Sequence, residues 1–228
     1  MNTDVLVAQS LEIEKANFYK KTYLHVALSI LAFIGVETLL LQTVPPELIG
    51  LMVGQKYSWL LVIGIFWVAS MMASKWSLSQ SKSTQYMGLA FYVLLEAIIF
   101  LPLIYMAVAT AGGTVIFQAA MLTIAMFAGL SAVAFTSKKD FSFLRNIIII
   151  GGFLSLGLIV AGMIFGFNLG LWFSVGMVIL ASASILYETS KLKNVYGTEQ
   201  YVGASLQLFA SIMLLFWYIL RILMSRRS

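Results

Sequence analysis

Three glutamates of this chain lie inside long apolar runs or directly after one. Glu188 follows the run Leu171–Tyr187, and Glu96 lies near the middle of the run Tyr86–Val108. Glu37 lies about two helical turns before the far end of the first run. A carboxylate in hydrocarbon is costly unless water, a cation or a partner side chain stabilises its charge. The chemistry that these residues could do is cation binding or proton transfer.

Each of these candidates also has a structural interpretation. Glu96 is the deepest acid, and it is either a cation or proton relay group or a protonated carboxyl group hydrogen-bonded between helices. For Glu37, which is near enough to the surface for partial hydration, the structural role is favoured. His25 lies at the inner end of the first run, as interfacial residues do, and a ligand or pH-sensing role is its less favoured alternative.

Small and polar side chains recur at helical spacing around Glu188. They form one face of the sixth apolar run and one face of the seventh: Met177, Ala181, Ser184 and Glu188, and Ala204, Gln207 and Ser211. We expect these two faces to lie against each other. The charge of Glu188 can then be stabilised by water, by Lys191 or by a bound cation, and the sequence leaves these alternatives open.

The composition assigns the chain to the membrane proteins. Of its 228 residues, 61% are hydrophobic and only 10% are charged, whereas soluble domains have roughly 25% charged residues. The net charge of +5 comes from basic residues in short connections between apolar runs, so it indicates membrane topology rather than nucleic-acid binding. Cysteine is absent and His25 is the only histidine, which excludes cysteine-ligated metals and a histidine-rich zinc site.

Seven apolar runs are long enough to cross a bilayer, which requires about 20 residues per helix. They predict an all-α polytopic membrane protein, a bundle of seven transmembrane helices with no inserted soluble domain. The predicted spans are Tyr23–Val44, Tyr57–Ser74, Tyr86–Val108, Val115–Thr136, Ile147–Phe167, Leu169–Tyr187 and Val202–Met224. Residues 23–224 form the membrane domain, between an N-terminal tail of residues 1–22 and a C-terminal tail of residues 225–228.

Two further patterns concern helix packing. The seventh span carries three polar residues, Ser205, Gln207 and Ser211. Such a helix is better buried among other helices than exposed to lipid, so we predict that the last helix is central. Gly162, Gly166 and Gly170 recur at every fourth position, a spacing that lets helix backbones approach closely in lipid. We interpret this glycine series as a structural packing motif.

Basic residues are unevenly divided between the two faces of the predicted bundle. Ten lie on the face of the N-terminus and four on the other: Lys15, Lys20, Lys21, Lys75, Lys82, Lys138, Lys139, Arg145, Lys191 and Lys193, against Lys56, Arg221, Arg226 and Arg227. Basic connections stay in the cytoplasm, so the N-terminus is predicted to be cytoplasmic. A cleaved signal peptide is not expected, and the absence of cysteine and of Asn-X-Ser/Thr sites fits a bacterial inner membrane.

The chain carries no pattern typical of an enzyme. It lacks a Gly-rich phosphate loop, a His-Glu pair at metal spacing and a nucleophile flanked by a plausible base. We therefore expect no catalysis and no cofactor. A calcium contact at Glu188 is the one metal interaction that the residues suggest, and calcium would then be a transported ion.

Several segments resemble the Bax inhibitor-1 family. They are Thr22–His25, Ala134–Leu144, Ile185–Thr189, Tyr201–Val202 and Ser205–Phe209. The resemblance extends from about Phe18 to the end of the chain. The segment Tyr187–Ser190, in which glutamate follows tyrosine and precedes threonine and serine, is most similar to the bacterial branch of the family that includes the modulator of the FtsH protease. The resemblance implies a seven-helix bundle with the last helix at its centre.

The resemblance implies two functions, of which the first is interaction with a protease. FtsH-modulating relatives bind that membrane protease and slow its degradation of membrane substrates. Their cytoplasmic N-terminal tail is the part that the protease can engage, and Met1–Lys21 is the corresponding segment here. A solvated leader without a partner is the structural alternative. Modulation of an FtsH-type protease in membrane protein quality control is the main functional prediction, with membrane lipids as the other partner.

The alternative function is a pH-sensitive calcium leak. In some relatives two carboxylates, one ending the sixth helix and one in the seventh, share a proton and gate a pore. The first corresponds to Glu188, but the second falls at Ser211, and a serine cannot supply the second charge. Glu96 could contribute a carboxylate from another helix. The candidate gating residues are therefore Glu188, Glu96 and Ser211, with Glu37 and His25 as secondary candidates.

Overall fold

The computed structural model describes residues 6–54, 58–137 and 139–226. Within them a 3-10 turn at Val7–Gln9 is followed by eight α-helices: α1 Glu12–Thr43, α2 Pro46–Gly54, α3 Ser58–Ser77, α4 Lys82–Ala111, α5 Gly113–Thr136, α6 Leu144–Phe165, α7 Gly170–Asn194 and α8 Tyr201–Ser225. All of these except α2 are long and apolar enough to cross a membrane, which makes seven candidate spans. The predicted fold class, an all-α polytopic membrane protein, is confirmed.

Several helices extend beyond the predicted spans. The helix α1 begins at Glu12 rather than Tyr23, so residues 12–22, predicted as part of the tail, are helical. Two features favour this extension: Glu14 is acidic in the first turn, and the Lys15 ammonium lies 2.9 Å from the Glu12 carboxylate. A hydropathy pattern marks only the apolar part of a helix, so it gives no sign of a polar extension such as residues 12–22.

Contacts between helix ends show that the seven long helices alternate in direction: His25 of α1 bonds Tyr86 near the start of α4, Lys82 of α4 pairs with Glu199 before α8, and Lys193 of α7 bonds the end of α5. Consequently α1, α4, α6 and α8 begin at the same face at which α3, α5 and α7 end. We call this the N-terminal face, and we call the opposite one, where α8 ends, the C-terminal face. Some predicted features lie outside the described residues: Met1–Val5, Lys56, Tyr57, Lys138, Arg227 and Ser228.

The helix α8 lies at the centre of the bundle, as predicted. It packs against α1, α3, α4, α5 and α7. In its most apolar stretch 56% of the residues are buried, against 6% in α6, which packs mainly on α7. The polar residues of α8 therefore lie among helices, and α6 is a peripheral helix whose side chains face lipid over most of its surface.

An aromatic cluster joins α1, α4 and α8. The Phe100 ring lies edge-on to Phe33 at 5.3 Å and to Trp217 at 4.8 Å, and it stacks on Phe216 at 5.8 Å, all between ring centroids. Such pairs contribute about 0.5–1.5 kcal/mol each beyond the area they bury. Because Phe100 follows Glu96 by one helical turn, this cluster holds the Glu96 segment of α4 against α8.

Two glycines allow α3 to lie very close to its neighbours. A Cβ atom at Gly88 of α4 would lie 2.7 Å from the Ala73 carbonyl oxygen and 2.7 Å from the Ser77 nitrogen, both of them backbone atoms of α3. A Cβ at Gly203 of α8 would lie 2.7 Å from the Ser77 carbonyl oxygen. Side chains do not approach backbone atoms so closely, so glycine is required at both positions.

The glycine series at positions 162, 166 and 170 is not a continuous packing motif: Gly162 is buried, with a Cβ there 3.1 Å from the Phe167 carbonyl oxygen, but the other two glycines have a different role. Gly166 ends α6 in the left-handed conformation with φ of 76°, and Gly170 begins α7 with φ of 69°. A Cβ built on either residue would meet no described atom within 4 Å. Gly166 and Gly170 let the chain reverse between α6 and α7, because other residues are strained at positive φ.

The N-terminal segment folds back onto the connection between α7 and α8. The Val7 amide donates a hydrogen bond to the Tyr196 carbonyl at 3.0 Å, and Leu6 pairs with Gly197 in an isolated β-bridge. Val7 is fully buried, and the rings of Phe18 and Tyr196 lie 6.4 Å apart. The segment from Leu6 onwards is thus anchored to the bundle rather than solvated along its length.

Candidate functional site

A cavity of about 890 Å³ lies between α3, α4, α6, α7 and α8. Its lining includes polar side chains from the middle or the N-terminal half of the bundle, among them Glu96, Ser184, Glu188, Gln207 and Ser211. The faces predicted to meet, one on α7 and one on α8, do meet here. The structure therefore brings the three gating candidates, Glu96, Glu188 and Ser211, to the wall of one cavity.

The Glu188 carboxylate is paired with a lysine of its own helix. The Lys191 ammonium lies 3.2 Å from Oε1 and 2.9 Å from Oε2 of Glu188. Both side chains are largely buried, with 11% of the Glu188 side chain and 21% of the Lys191 side chain exposed. Of the alternatives that the sequence left open for stabilising this charge, the structure shows the lysine. Positions 188 and 191 are one turn apart, which places the two groups on the same side of α7.

A tyrosine completes the surroundings of Glu188. The Tyr196 hydroxyl donates to Oε2 of Glu188 at 3.3 Å. Burial raises the pKa of Tyr196 well above its usual range, and the neighbouring Glu188 charge raises it further. The hydroxyl therefore stays protonated and remains a donor. Since the Tyr196 carbonyl accepts the Val7 amide, the N-terminal segment holds in place the loop that supplies this donor.

Ser211 is bonded to another serine and not to Glu188. Its hydroxyl donates to the Gln207 carbonyl at 3.0 Å, and its oxygen lies 2.8 Å from the Ser184 hydroxyl. Since the single hydroxyl proton of Ser211 goes to Gln207, Ser184 is the donor to Ser211. The pair of Ser184 and Ser211 is neutral. Because Ser184 precedes Glu188 by one helical turn, the pair lies deeper in the bundle than the salt bridge.

Glu96 faces the same cavity from α4. Glu96 is 5% exposed, and the Tyr92 hydroxyl, one turn earlier on the same helix, lies near its carboxylate. Tyr92 also packs edge-on against Phe209 of α8, with 6.2 Å between ring centroids. The spacing of four residues indicates that Tyr92 and Glu96 share a face of one helix, but only the fold shows that both side chains point into the bundle.

The secondary candidates are not among the described residues that line the cavity. Glu37 is buried at 5% exposure, and neither of its carboxylate oxygens has a hydrogen-bond partner among the described residues. His25 is bonded through Nδ1 to the Lys21 carbonyl at 2.7 Å and through Nε2 to the Tyr86 hydroxyl at 3.0 Å. Both ring nitrogens of His25 therefore have partners within the bundle.

Two other lysines near the N-terminal face have structural partners. Lys193 donates to the carbonyls of Ala134 at 2.7 Å and Ser137 at 3.2 Å, and so binds the C-terminal end of α5. Lys82 lies 2.8 Å from the Glu199 carboxylate and 4.1 Å from the centre of the Tyr201 ring. Lys191 differs from both because its partner lines the cavity.

The oxygen atoms that line the cavity determine how it could bind a metal ion. Calcium takes six to eight oxygen ligands at high-affinity sites. In the described part of the chain no three His, Cys, Asp or Glu residues are grouped as metal ligands would be. Two carboxylates and several hydroxyls can replace only part of a hydration shell. An arrangement of this kind can attract a cation without retaining it.

Comparison with known proteins identifies the family. A family model described as inhibitor of apoptosis-promoting Bax1 matches residues 15–228. An uncharacterized protein of Pseudomonas aeruginosa is 41% identical over 113 residues, which are 49% of this chain and 50% of that protein. An uncharacterized membrane protein of Vibrio cholerae is 38% identical over 120 residues, with 49% of this chain and 50% of the relative covered.

The chain thus spans about half the length of the curated relatives that it matches. The family model, in contrast, covers all seven candidate spans, apart from the first three residues of α1. The fold and the extent of this match lead to one conclusion. This chain is a polytopic membrane protein that belongs to the Bax inhibitor-1 family.

Proposed function

We propose that this protein lets a cation, calcium in particular, leak across the membrane through the cavity that Glu96 and Glu188 line. The observation that supports the proposal most directly is that two carboxylates from different helices face one space. Carboxylates near the bilayer centre attract cations and repel anions. The proposal involves no catalysis and no resident cofactor, and calcium is the transported ion.

The salt bridge gives this leak a closed state. Lys191 occupies both oxygens of Glu188 at the N-terminal end of the cavity. A passing cation must compete with this tethered ammonium for the same carboxylate. The leak in this chain is therefore governed by a lysine and a glutamate, whereas a pair of acids would share a proton. Ser211, bonded to Ser184, contributes a neutral oxygen to the path.

Calcium flux into vesicles tests this function. The purified chain, reconstituted into liposomes loaded with a calcium indicator, should carry a flux that falls about tenfold or more in Glu96→Gln and in Glu188→Gln. Loss of either carboxylate removes an attraction of about 1.5–3 kcal/mol for a charged partner, and about 1.4 kcal/mol corresponds to tenfold. Glu188→Gln also leaves the Lys191 charge unbalanced at the entrance, which repels cations.

The matched control is Glu47→Gln, which removes an exposed acid of α2 and should leave the flux unchanged. A wild-type flux no larger than that of protein-free vesicles would refute the leak. So would a flux that persists at the wild-type level in both cavity variants.

A second candidate function is modulation of an FtsH-type protease. The observation that favours it is an exposed apolar pair at the beginning of α1. Leu11 and Ile13 are each 70% exposed, next to the charged Glu12 and Lys15 at the N-terminal face. We infer that this pair contacts the protease. We also place the N-terminal face in the cytoplasm of a bacterial cell, in the inner membrane, because basic residues are concentrated at that face.

Co-purification from native membranes tests the protease contact. The wild-type chain should recover an FtsH-type protease, and the double variant Leu11→Ser, Ile13→Ser should recover several-fold less, because the apolar contact area is lost. Val195→Ser is the control, since Val195 is 55% exposed beside the same face but lies in the α7–α8 connection. Equal recovery with all three proteins, or no protease with any of them, would contradict this function.

A further inference from the structure

Arg221 brings a positive charge to the C-terminal end of the cavity. It is partly buried on α8 and lines the cavity together with Tyr218, near the turn that connects α6 to α7. Among the described residues no carboxylate pairs with it, since the salt bridges there involve other cations. A partly buried guanidinium without an anionic partner indicates a site for an anion.

The wall of the cavity beside Arg221 is apolar and extends through the depth of the membrane. One face of α6 lines it at helical spacing, from Ile148 through Gly152 and Ile159 to Gly166. These 18 residue steps correspond to about 27 Å along the helix, close to the hydrocarbon thickness of about 30 Å. The opposite wall includes Trp67 of α3. The cavity is thus a long groove with the guanidinium group of Arg221 at one end.

The groove opens sideways between α3 and α6. Both helices line it, yet α6 packs mainly on α7, and α3 packs on α4, α8 and α2. Lipid therefore has direct access from the bilayer. A phospholipid combines the two chemistries that this groove offers, an anionic phosphate for Arg221 and an acyl chain for the apolar wall of α6.

We propose that this groove binds one phospholipid from the leaflet at the C-terminal face, with its phosphate on Arg221 and an acyl chain along α6. Arg221 is the anchor of the phosphate. Asn168 in the α6–α7 turn supplies a second donor, because its side-chain oxygen accepts the Gly170 amide at 2.9 Å and leaves the amide nitrogen to donate.

This binding site is independent of the proposed cation leak. It extends along α6 from Arg221 at the C-terminal end to the level of Gly152, while the carboxylates are on α4 and α7. The test is a binding measurement in detergent, which is not affected by whether the protein conducts calcium. A bound acyl chain would, however, occupy space next to the path of a cation.

Native mass spectrometry of the full chain, titrated with phosphatidylglycerol in detergent, tests the site. We expect the wild-type protein to bind one lipid with an affinity about tenfold higher than Arg221→Gln, because a charge-assisted hydrogen bond contributes about 1.5–3 kcal/mol. Arg226→Gln is the matched control. Arg226 is exposed just beyond α8 at the same face, and its loss should change the affinity by less than about twofold.

A second pair of variants tests the apolar part of the groove without changing charge. Cβ atoms at Gly152 and Gly157 would each meet no described atom within 4 Å, so both positions of α6 accept a side chain. Only Gly152 is among the residues that line the groove. Gly152→Phe should therefore displace the lipid, and Gly157→Phe should bind it as the wild-type protein does.

Three results would overturn the proposal. The first is wild-type affinity in both Arg221→Gln and Gly152→Phe. The second is equal binding of diacylglycerol, which has the same chains but no phosphate and should bind about tenfold more weakly. The third is a dimer of this chain that Gly152→Phe dissociates, which would show that a second copy, rather than a lipid, covers the groove.

Discussion

Replacing Lys191 with methionine is expected to raise calcium flux through the reconstituted protein about tenfold. Methionine keeps the length of the side chain but removes the ammonium that lies 3.2 Å and 2.9 Å from the two oxygens of Glu188. Hydrogen bonds to charged groups are worth about 1.5–3 kcal/mol, and a change of about 1.4 kcal/mol corresponds to tenfold. The measurement is the initial rate of calcium entry into indicator-loaded liposomes, normalised to the amount of folded protein.

Two further variants separate the loss of the salt bridge from a general disturbance of α7. The double variant Lys191→Met, Glu188→Gln should return the flux below the wild-type level, because the freed carboxylate is then missing as well. Lys193→Met is the matched control on the same helix. It removes a lysine whose partners are the Ala134 and Ser137 carbonyls, so it should lower stability without raising flux. A Lys191→Met protein that is folded and no more permeable than wild type would show that Lys191 does not close the path.

Replacing Gly88 with alanine is expected to destabilise the bundle, although it adds only one methyl group. The added Cβ would lie 2.7 Å from two backbone atoms of α3, the Ala73 oxygen and the Ser77 nitrogen. Backbone atoms cannot rotate away as a flexible side chain can, so α3 and α4 must separate. Overpacking of this kind costs about 1–3 kcal/mol, which corresponds to a drop in melting temperature of about 2–12 °C for a chain of this size.

Thermal unfolding in detergent, followed by circular dichroism, measures this effect. Gly129→Ala in α5 is the control, since a Cβ there meets no described atom within 4 Å. It should raise the melting temperature slightly, because alanine favours a helix over glycine by about 0.5–1 kcal/mol. If Gly88→Ala melts at or above the wild-type temperature, the close approach of α3 and α4 does not depend on this glycine.

The class of the protein and the number of its spans could be predicted from the amino-acid sequence. Lipid provides no partner for backbone polar groups, so a long apolar run must form a helix, and seven such runs predicted the seven long helices that the structure shows. The central position of α8 could be predicted for the same reason. The serines and Gln207 of this helix are costly against lipid and inexpensive among helices.

The candidates Glu96 and Glu188 could likewise be identified from the sequence, because acids are conspicuous in apolar runs, whereas Ser211 became a gating candidate through the resemblance to the Bax inhibitor-1 family. Their partners could not all be identified in this way. Lys191 and Tyr92 are close in sequence to the acids that they contact, and Lys191 was one of several alternatives. Tyr196 lies in a connection, and nothing in its neighbours in the sequence shows that its hydroxyl reaches Glu188.

Which polar groups share a space, and which parts of the chain are anchored, depends on the packing of the helices. Helical spacing shows which side chains share a face of one helix, but not which face of another helix lies opposite. That is why the Ser184–Ser211 bond, the anchoring of Val7 to the Tyr196 carbonyl and the position of Arg221 in a lipid-accessible groove required the assembled bundle. It is also why the glycines at 166 and 170, equally spaced in the sequence, form a turn rather than a packing surface. Their spacing is a property of one segment, and their role depends on where the helices around them end.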